Sequence, residues 1–81
     1  MTKTRQRHIY HDIPVWAQRI KKMRLLNHLT QEDVADLLKC SQASYGTYEL
    51  GKRRISVDNL LILARYYRTS MNYLSGQTDV M

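Results

Sequence analysis

The sequence predicts an all-α fold, in which five short helices form one compact bundle. Its 81 residues are enough for one domain and too few for two. Five segments repeat apolar residues at the three- and four-residue spacing of a helix face, and we assign no segment to a strand. A serine or threonine precedes four of these segments, and only one proline and three glycines interrupt the chain. These observations agree in favouring short, capped helices around one core.

The first predicted helix runs from about Val15 to Asn27, behind a polar arm formed by residues 1–12. Pro14 suits the first turn, where its missing N–H does no harm, and Asp12 is placed to cap the helix. The arm holds three bases and two histidines, so we expect it to be flexible. Four residues fall on the inward face of the helix: Trp16, Ile20, Met23 and Asn27.

The second predicted helix runs from about Gln31 to Leu38 and starts with a double cap. Thr30 is a good N-cap, and Asp33 stands three residues later, in the place of a capping-box acid. The helix is barely two turns long, so packing against the rest of the domain must hold it. Its inward stripe consists of Val34, Ala35 and Leu38.

The third predicted helix runs from about Gln42 to Leu50, between a cap at Ser41 and a natural stop at Gly51. Gly46 lies inside it and costs about 1 kcal/mol relative to alanine. A glycine there indicates either a close approach to another group or, equally, chance drift. Two tyrosines face inward: Tyr45 and Tyr48.

The last two predicted helices complete the bundle. Ser56 caps the fourth, and Ser70 caps a fifth that runs from Met71 to Leu74 and stops before Gly76. The stripe of the fourth helix consists of Leu60, Leu63, Ala64 and Tyr67, thickened by Leu61 and Ile62. The chain therefore divides into an arm at residues 1–12, a domain at residues 13–76 and a short tail at residues 77–81.

The charge is uneven along the chain, with a net value of +6. Residues 1–24 carry seven bases and one acid, residues 25–50 one base and four acids, and residues 51–81 five bases and two acids. A basic balance favours a polyanion such as nucleic acid. A membrane surface is the competing polyanion, but it calls for a long basic amphipathic helix that is not evident here.

Three further features bear on the compartment. The chain contains no run of 18 apolar residues, so we expect no membrane span. Its basic N-terminal segment is not followed by the apolar core of a secretory signal. Cys40 is the single cysteine, so a disulfide within one chain is excluded. An unpaired thiol fits a reducing compartment, and we expect a cytoplasmic protein.

Two blocks of sequence carry a resemblance to a known family. Residues 29–38, LTQEDVADLL, look like the signature LTQEELAELL. Residues 41–44, SQAS, followed by residues 48–53, YELGKR, look like a second signature, which ends in Y-E-x-G-x-R. On these motifs, and on matches in its last two helices, the chain resembles the lambda-repressor-like Cro/CI family, also called the xenobiotic-response-element family, over roughly residues 19–76. The resemblance implies a helix-turn-helix in which the second helix braces the third.

Four positions depart from the family pattern. The family usually has glycine where Lys39 and Arg68 stand, each closing a helix. A residue other than glycine in a left-handed cap costs about 1 kcal/mol or adopts another turn. Small aliphatic residues are usual where Cys40 and Thr69 stand, and Cys40 fits as a small core hydrophobe.

The resemblance assigns base reading to the start of the third helix. Glutamine pairs bidentately with adenine, and an alanine methyl meets a thymine methyl, whereas serine and threonine read ambiguously. An ordinary solvated polar face is the alternative interpretation. The predicted base readers are Gln42, Ala43, Ser44 and Thr47.

Phosphate contacts are predicted on both sides of that helix. The resemblance implies that Gln31, at the start of the second helix, contacts the DNA backbone and braces the first base reader. The basic run Lys52-Arg53-Arg54 is predicted to hold phosphates and set the register without reading sequence. Arg5 and Arg7 in the arm are candidates for a minor-groove contact.

By resemblance, Arg24 and Glu49 form a buried salt bridge between the end of the first helix and the end of the third. Its role is structural. Breaking one partner of a buried pair costs about 3–5 kcal/mol.

No enzyme, cofactor or metal site is predicted. The chain lacks a glycine-rich phosphate loop and a nucleophile motif, and its acids are spread singly. His8, His11 and His28 do not form a ligand set with Cys40.

We therefore expect a sequence-specific regulator of transcription, most often a repressor, that binds double-stranded DNA. The resemblance implies a homodimer on a near-palindromic operator, joined through the fifth helix, the tail or Trp16. The alternative function is a protein-interaction module, such as an antitoxin or co-regulator, built on the same fold. Leu25, Leu26 and Leu50 are predicted to be exposed, as ordinary surface or as part of a partner contact.

Overall fold

The computed structural model describes residues 13–81, and within that range the fold consists of α-helices and turns, with no strand. The five helices are α1 (Val15–Leu26), α2 (Gln31–Leu38), α3 (Gln42–Glu49), α4 (Val57–Tyr67) and α5 (Met71–Ser75). This architecture confirms the predicted all-α, five-helix bundle. None of the described helices has the length and apolar character needed to cross a membrane.

The inner faces of all five helices pack together in one apolar core. Trp16 is half-buried and packs against this core, and Ala17, which the sequence analysis did not include, is fully buried. Because Cys40 also packs against it, the thiol serves as a small apolar side chain. The buried apolar residues are Ala17, Ile20, Met23, Val34, Ala35, Leu38, Tyr45, Tyr48, Ile55, Leu60, Leu63, Ala64, Tyr67, Tyr73 and Leu74.

Hydroxyl caps start four of the five helices. Thr30 and Asp33 form a full capping box, in which the Thr30 hydroxyl accepts from the Asp33 amide and the Asp33 carboxylate accepts from the Thr30 amide. Ser41, Ser56 and Ser70 each accept from the amide three residues on. These caps fix where short helices begin, since helices of two or three turns have little stability of their own.

The ends of α1 differ from the prediction. Pro14 itself occupies the N-cap position and no side chain caps the helix, while Asp12 lies outside the described residues. The helix ends at Leu26, and Asn27 is an exposed C-cap whose side-chain amide donates to the Met23 carbonyl. Asn27 is therefore not part of the inward stripe, because its amide serves the helix end.

Two further differences concern α3 and α4. The first is that α3 ends at Glu49, with Leu50 as its C-cap. The second is that Leu61 and Ile62, expected to thicken the inward stripe of α4, are exposed. Leu60 and Leu63 already fill the core side of this helix, so the two residues between them point away from it.

The two helix ends at which the family usually has glycine still adopt the left-handed backbone conformation. Lys39 closes α2 at φ 59° and Arg68 closes α4 at φ 57°. In each case the next amide, of Cys40 or Thr69, donates to a carbonyl five residues back, which stabilises the helix end. Each L-residue in this region costs about 1–2 kcal/mol, and the hydrogen bonds of the turn compensate for it.

Gly51 sets the contact between the end of α3 and the start of α1. Its φ is +74°, and a Cβ at this position would lie 2.4 Å from Cδ of Pro14. Only glycine satisfies both the backbone conformation and this close approach. The contact fixes the end of α3 against the chain that enters α1.

Candidate nucleic-acid interface

The outer face of α3 is polar and open at its first turn. Gln42 and Ala43 are exposed, whereas Ser44 and Thr47 are half-buried. On the opposite side Tyr45 and Tyr48 are buried, with their rings edge to face and centroids 6.2 Å apart. The two tyrosines anchor α3 to the core and leave the four predicted base readers on or near its accessible side.

A buried, bidentate ion pair holds the far end of α3. Arg24 Nε donates to Glu49 Oε2 at 2.7 Å, and Arg24 Nη2 donates to Oε1 at 3.0 Å. Arg24 Nη1 also donates to the Leu29 carbonyl at 3.0 Å. One guanidinium therefore fixes the end of α3 and the turn between α1 and α2 to the same helix, α1.

Gln31 extends this ion pair to the surface. Its Nε2 donates to Glu49 Oε1 at 3.1 Å, and its Oε1 accepts from Gln42 Nε2 at 3.1 Å. Gln42, the first residue of α3, is thus connected through Gln31 and Glu49 to Arg24. We call this chain of four side chains the Arg24–Gln42 relay; it limits the orientations that Gln42 can adopt in the free protein.

The charges in the relay stabilise each other. Burial alone would raise the pKa of Glu49, but hydrogen bonds from Arg24 and Gln31 outweigh burial and lower it. The hydrogen bond to Glu49 also raises the pKa of Arg24 above its ordinary value. Tyr45 lies beside this pair, and burial, with the nearby carboxylate, raises the pKa of its hydroxyl. The pair therefore stays ionised at neutral pH.

Gly46 lies beside the middle of the relay. A Cβ at this position would lie 3.5 Å from Gln31 Oε1, and no other group is as near. A methyl group at Gly46 would therefore make an ordinary van der Waals contact with this side-chain amide, and the packing does not require glycine here.

The start of α2 presents backbone amides beside Gln42. The capping box satisfies the amides of Thr30 and Asp33 within the protein. It does not use the amides of Gln31 and Glu32, which open the helix. Because an N-terminal end carries a positive partial charge, these two amides are suited to a phosphate oxygen.

The basic run after α3 is exposed throughout, at Lys52, Arg53 and Arg54. The guanidinium of Arg53 lies over the Tyr48 ring, 5.7 Å from its centroid. The amides of Lys52 and Arg53 both donate to the Thr47 carbonyl, which ties the run to the last turn of α3. The backbone of the basic run is therefore fixed next to the last turn of α3.

Two residues of α1 that the sequence analysis did not select also border this surface. A groove of about 360 Å³ runs between α1, the start of α2 and α3, and Gln18 and Lys21 line it together with Gln31 and Gly46. Lys21 is exposed there. The excess of bases over residues 1–24 is visible in the sequence, but only the folded chain shows that Lys21 lines a groove with Gln31 and Gly46.

The remaining predicted contacts are those of Thr47 and of the two arginines at the start of the chain. The Thr47 hydroxyl donates to the Ser44 carbonyl at 2.6 Å, so its proton is used within α3 and its methyl and lone pairs remain for contacts. Arg5 and Arg7 lie outside the described residues. Between residues 13 and 81, no group of three or more histidine, cysteine or acidic side chains is placed to bind a metal ion.

Comparison with known proteins finds a matching family model and relatives of similar sequence. The family model described as Helix-turn-helix matches residues 20–74. The Bacillus subtilis protein named "Uncharacterized HTH-type transcriptional regulator YobD" is 37% identical over 65 residues, which are 80% of this chain and 58% of that protein. A second B. subtilis protein, "Uncharacterized HTH-type transcriptional regulator YqaE", is 32% identical over 60 residues, 74% of this chain and 52% of that protein. The chain thus spans little more than half the length of these curated relatives.

A solved structure has the same fold. The restriction-modification controller protein C.AhdI from Aeromonas hydrophila superposes with a TM-score of 0.67 and 31% sequence identity. The match covers 80% of this chain and 94% of the controller protein. Sequence and structure therefore lead to the same group of proteins.

Proposed function

The chain belongs to the helix-turn-helix family of the Cro/CI type, and from this premise we propose that it binds double-stranded DNA by sequence and regulates transcription. We infer that the form of this regulation is repression by occupancy of an operator. The supporting observation is the Arg24–Gln42 relay, because it holds a base-reading amide at the exposed start of α3.

In the proposed complex α3 lies in the major groove. Gln42 hydrogen-bonds a base edge, Ala43 contacts a thymine methyl, and Ser44 and Thr47 line the same groove. The hydrogen bond to Gln31 uses one of the two protons on Gln42 Nε2, so the second proton and the side-chain oxygen of Gln42 remain for a base edge. Residues 13–76 carry this activity, with residues 1–12 as an arm and residues 77–81 as a tail.

Phosphate contacts flank the reading helix. We assign them to the amide end of α2 at Gln31 and to the run Lys52-Arg53-Arg54, and we add Lys21 because it borders the same groove as Gln31. These contacts set the register without selecting sequence.

One such domain reads only a few base pairs, so two copies are proposed to bind a near-palindromic operator as a homodimer. The half-sites would lie about one helical turn apart. A bacterial regulator of this kind works in the cytoplasm, which agrees with an unpaired Cys40.

Selection of bound sequences from a random duplex library tests the proposal directly. We expect enrichment of one short half-site, repeated with inverted symmetry. Affinity should fall with salt at a log–log slope of about −0.9 per neutralised phosphate. Recovery of no preferred sequence, or an affinity unchanged from low to high salt, would contradict duplex recognition.

Paired substitutions separate base reading from phosphate binding. Gln42→Ala should lower the preference at one base pair by about 1–3 kcal/mol, while Gln77→Ala, an exposed glutamine in the tail, should leave it unchanged. Lys52→Ala should weaken all duplexes alike, and Arg68→Gly, which removes one charge at the turn after α4, serves as its control.

The alternative function, a protein-interaction module such as an antitoxin or co-regulator, predicts an apolar outer face on α3. The exposed positions at the start of α3 are a glutamine and an alanine beside a basic run, which supports DNA as the partner. A gel shift against random duplex separates the two functions, since a pure interaction module would not retard it.

A further inference from the structure

The outer face of α4 is exposed and unusually apolar for a helix of this size. Val57 and Tyr66 are 72% and 51% exposed, and Leu61 and Ile62 are 36% and 39% exposed. Asp58 and Arg65 are the two charged residues of the helix and are also exposed. We call these six residues the α4 face: Val57, Asp58, Leu61, Ile62, Arg65 and Tyr66.

The α4 face has the same arrangement of positions when read in either direction along the helix. Each of its residues has a counterpart at an equal distance on the other side of the peptide between Leu61 and Ile62. Asp58 therefore corresponds to Arg65, and Val57 corresponds to Tyr66. In an antiparallel pair centred on this peptide, each residue lies level with its counterpart on the second copy. Positions on any helix have this symmetry, so the residue types of the counterparts decide whether the pair is self-complementary.

The chemistry of the counterparts is complementary as well. A second copy lying antiparallel on α4 would place each Asp58 opposite an Arg65, and each apolar residue opposite another apolar residue. At 100° per residue, Asp58 and Arg65 lie near the centre line of the face, with Leu61 and Ile62 on opposite sides of it. The two-fold axis of an antiparallel pair lies in the interface and runs across the helices, so each residue keeps its side of the face, and Leu61 lies against Leu61 of the second copy as Ile62 lies against Ile62 of the second copy.

Neighbouring groups extend this surface and hold part of it in place. A groove of about 300 Å³ adjoins Val57, and its lining includes Trp16, Ile55 and Met71. At the other end the Tyr66 ring packs edge to face against the buried Tyr67 ring, with centroids 5.4 Å apart. A standard interface buries about 800 Å² per partner, more than one face of a helix about 16 Å long supplies. We therefore expect the groove to contribute and the association to depend on concentration.

We propose that the α4 face joins two copies of this chain through an antiparallel, two-fold pairing of α4 helices, with the axis between Leu61 and Ile62. This inference deepens the homodimer of the proposed function and rests on it. A partner of different sequence would not require the face to be complementary to itself, whereas a second copy does. The proposal selects α4 over the fifth helix, the tail and Trp16 alone as the centre of the contact.

Charge reversal provides a test that only a self-complementary pair passes. In a D58R homodimer two like positive charges would face each other at each end, and in an R65D homodimer two negative charges would. In a mixture of the two variants both contacts would again join opposite charges. Sedimentation equilibrium of the full chain should show self-association for the parent, at least a tenfold weaker association for each variant alone, and recovery in the equimolar mixture.

Three outcomes would overturn the proposal: a parent chain that stays monomeric up to millimolar concentration, variants that associate like the parent, or a mixture that stays as weak as its components. Thermal melts of each variant check that it folds, because reversing either charge also opposes the helix dipole. A further pair, Leu61→Glu and Leu25→Glu, compares exposed leucines on α4 and on α1. Only the first should dissociate the dimer.

Binding to a duplex with a single half-site keeps this test apart from the proposed function. The D58R and R65D chains should still bind a half-site with the Gln42-dependent base preference, and lose affinity chiefly on the two-site operator. A parent chain that binds a half-site but does not self-associate, or whose self-association is unaffected by D58R and R65D, refutes the interface alone. Absence of half-site binding in the parent chain refutes the proposed function.

Discussion

Two arginines of α1, Arg19 and Arg24, show how differently one residue type acts in this small domain. Arg24 pairs with Glu49 of α3, and the two side chains are 10% and 3% exposed. Arg19 pairs with Asp79 of the tail, and the two side chains are 15% and 97% exposed. Both pairs have an N–O distance of 2.7 Å, so distance alone does not distinguish them.

What distinguishes them is the neighbourhood of the acid. Glu49 accepts three hydrogen bonds inside the protein, from two groups of Arg24 and from Gln31. Asp79 is surrounded by water, and Arg19 is held instead by the carbonyls of Tyr73 and Thr78 and by the Tyr73 ring. The buried acid therefore positions α3, whereas the exposed acid adds little to a guanidinium that the backbone already holds.

The largest effect is expected on breaking the buried pair. Arg24→Ala leaves Glu49 as an unpaired buried charge and should lower the free energy of unfolding by about 3–5 kcal/mol. Urea unfolding followed by circular dichroism measures this loss. Lys22→Ala, an exposed base on the same helix, should change stability by less than about 0.5 kcal/mol. An Arg24→Ala loss as small as that of the control would remove the distinction between the two pairs.

Lowering the pH tests the same comparison without a mutation, because protonation neutralises Glu49. The folded-state pKa of Glu49 lies below the ordinary value of 4.5, so the folded chain releases this proton more readily than the unfolded chain. The stabilisation is therefore present above pH 4.5 and is lost as the pH falls through the folded-state pKa. Urea midpoints from pH 7 to pH 3 should fall more steeply for the parent than for Glu49→Gln. Parallel curves would show that Glu49 does not drive the acid response; Asp33, whose pKa is also lowered by its cap, contributes equally to both chains.

The two pairs also differ in how far the sequence could predict them. Glu49 stands in a quoted family motif and Arg24 lies within the stretch that resembles the family, so their pairing could be expected before any coordinates. Arg19 and Asp79 are 60 residues apart, and no local pattern connects them. Only the packing of α5 and the tail against α1 brings them together.

The helices likewise have some features that the local sequence predicts and others that only tertiary packing decides. The caps at Thr30 and Ser41 are local hydrogen bonds, so residue types and spacing predict the starts of α2 and α3. Periodicity could not separate Leu61 and Ile62 from the core stripe, because a run of apolar residues fits both a wide buried face and an exposed interface. Lys21 needed the packing of α1 against α2 and α3 before it could be placed in the candidate DNA surface.

A smaller effect, of opposite sign, is expected at Gly46, next to the relay. Gly46→Ala removes the cost of glycine inside α3, and its methyl would meet Gln31 Oε1 at an ordinary 3.5 Å. The free energy of unfolding should therefore rise by about 1 kcal/mol. Urea unfolding again gives the value, and a single half-site duplex shows whether the relay still holds Gln42. A fall in stability would mean that Gln31 needs more room than the relay geometry implies.

The smallest effect is expected at the exposed acid. Asp79→Asn removes the ion pair but leaves Arg19 bound to the carbonyls of Tyr73 and Thr78, so stability should change by less than about 0.5 kcal/mol. Arg19→Ala removes the carbonyl contacts and the ring contact together and should cost more than Asp79→Asn. The difference between the two variants measures how much of the tail's attachment comes from the backbone. Equal losses of stability would show that the exposed carboxylate of Asp79 holds the tail. The exposure of the acidic partner would then not explain the difference between the two arginine pairs.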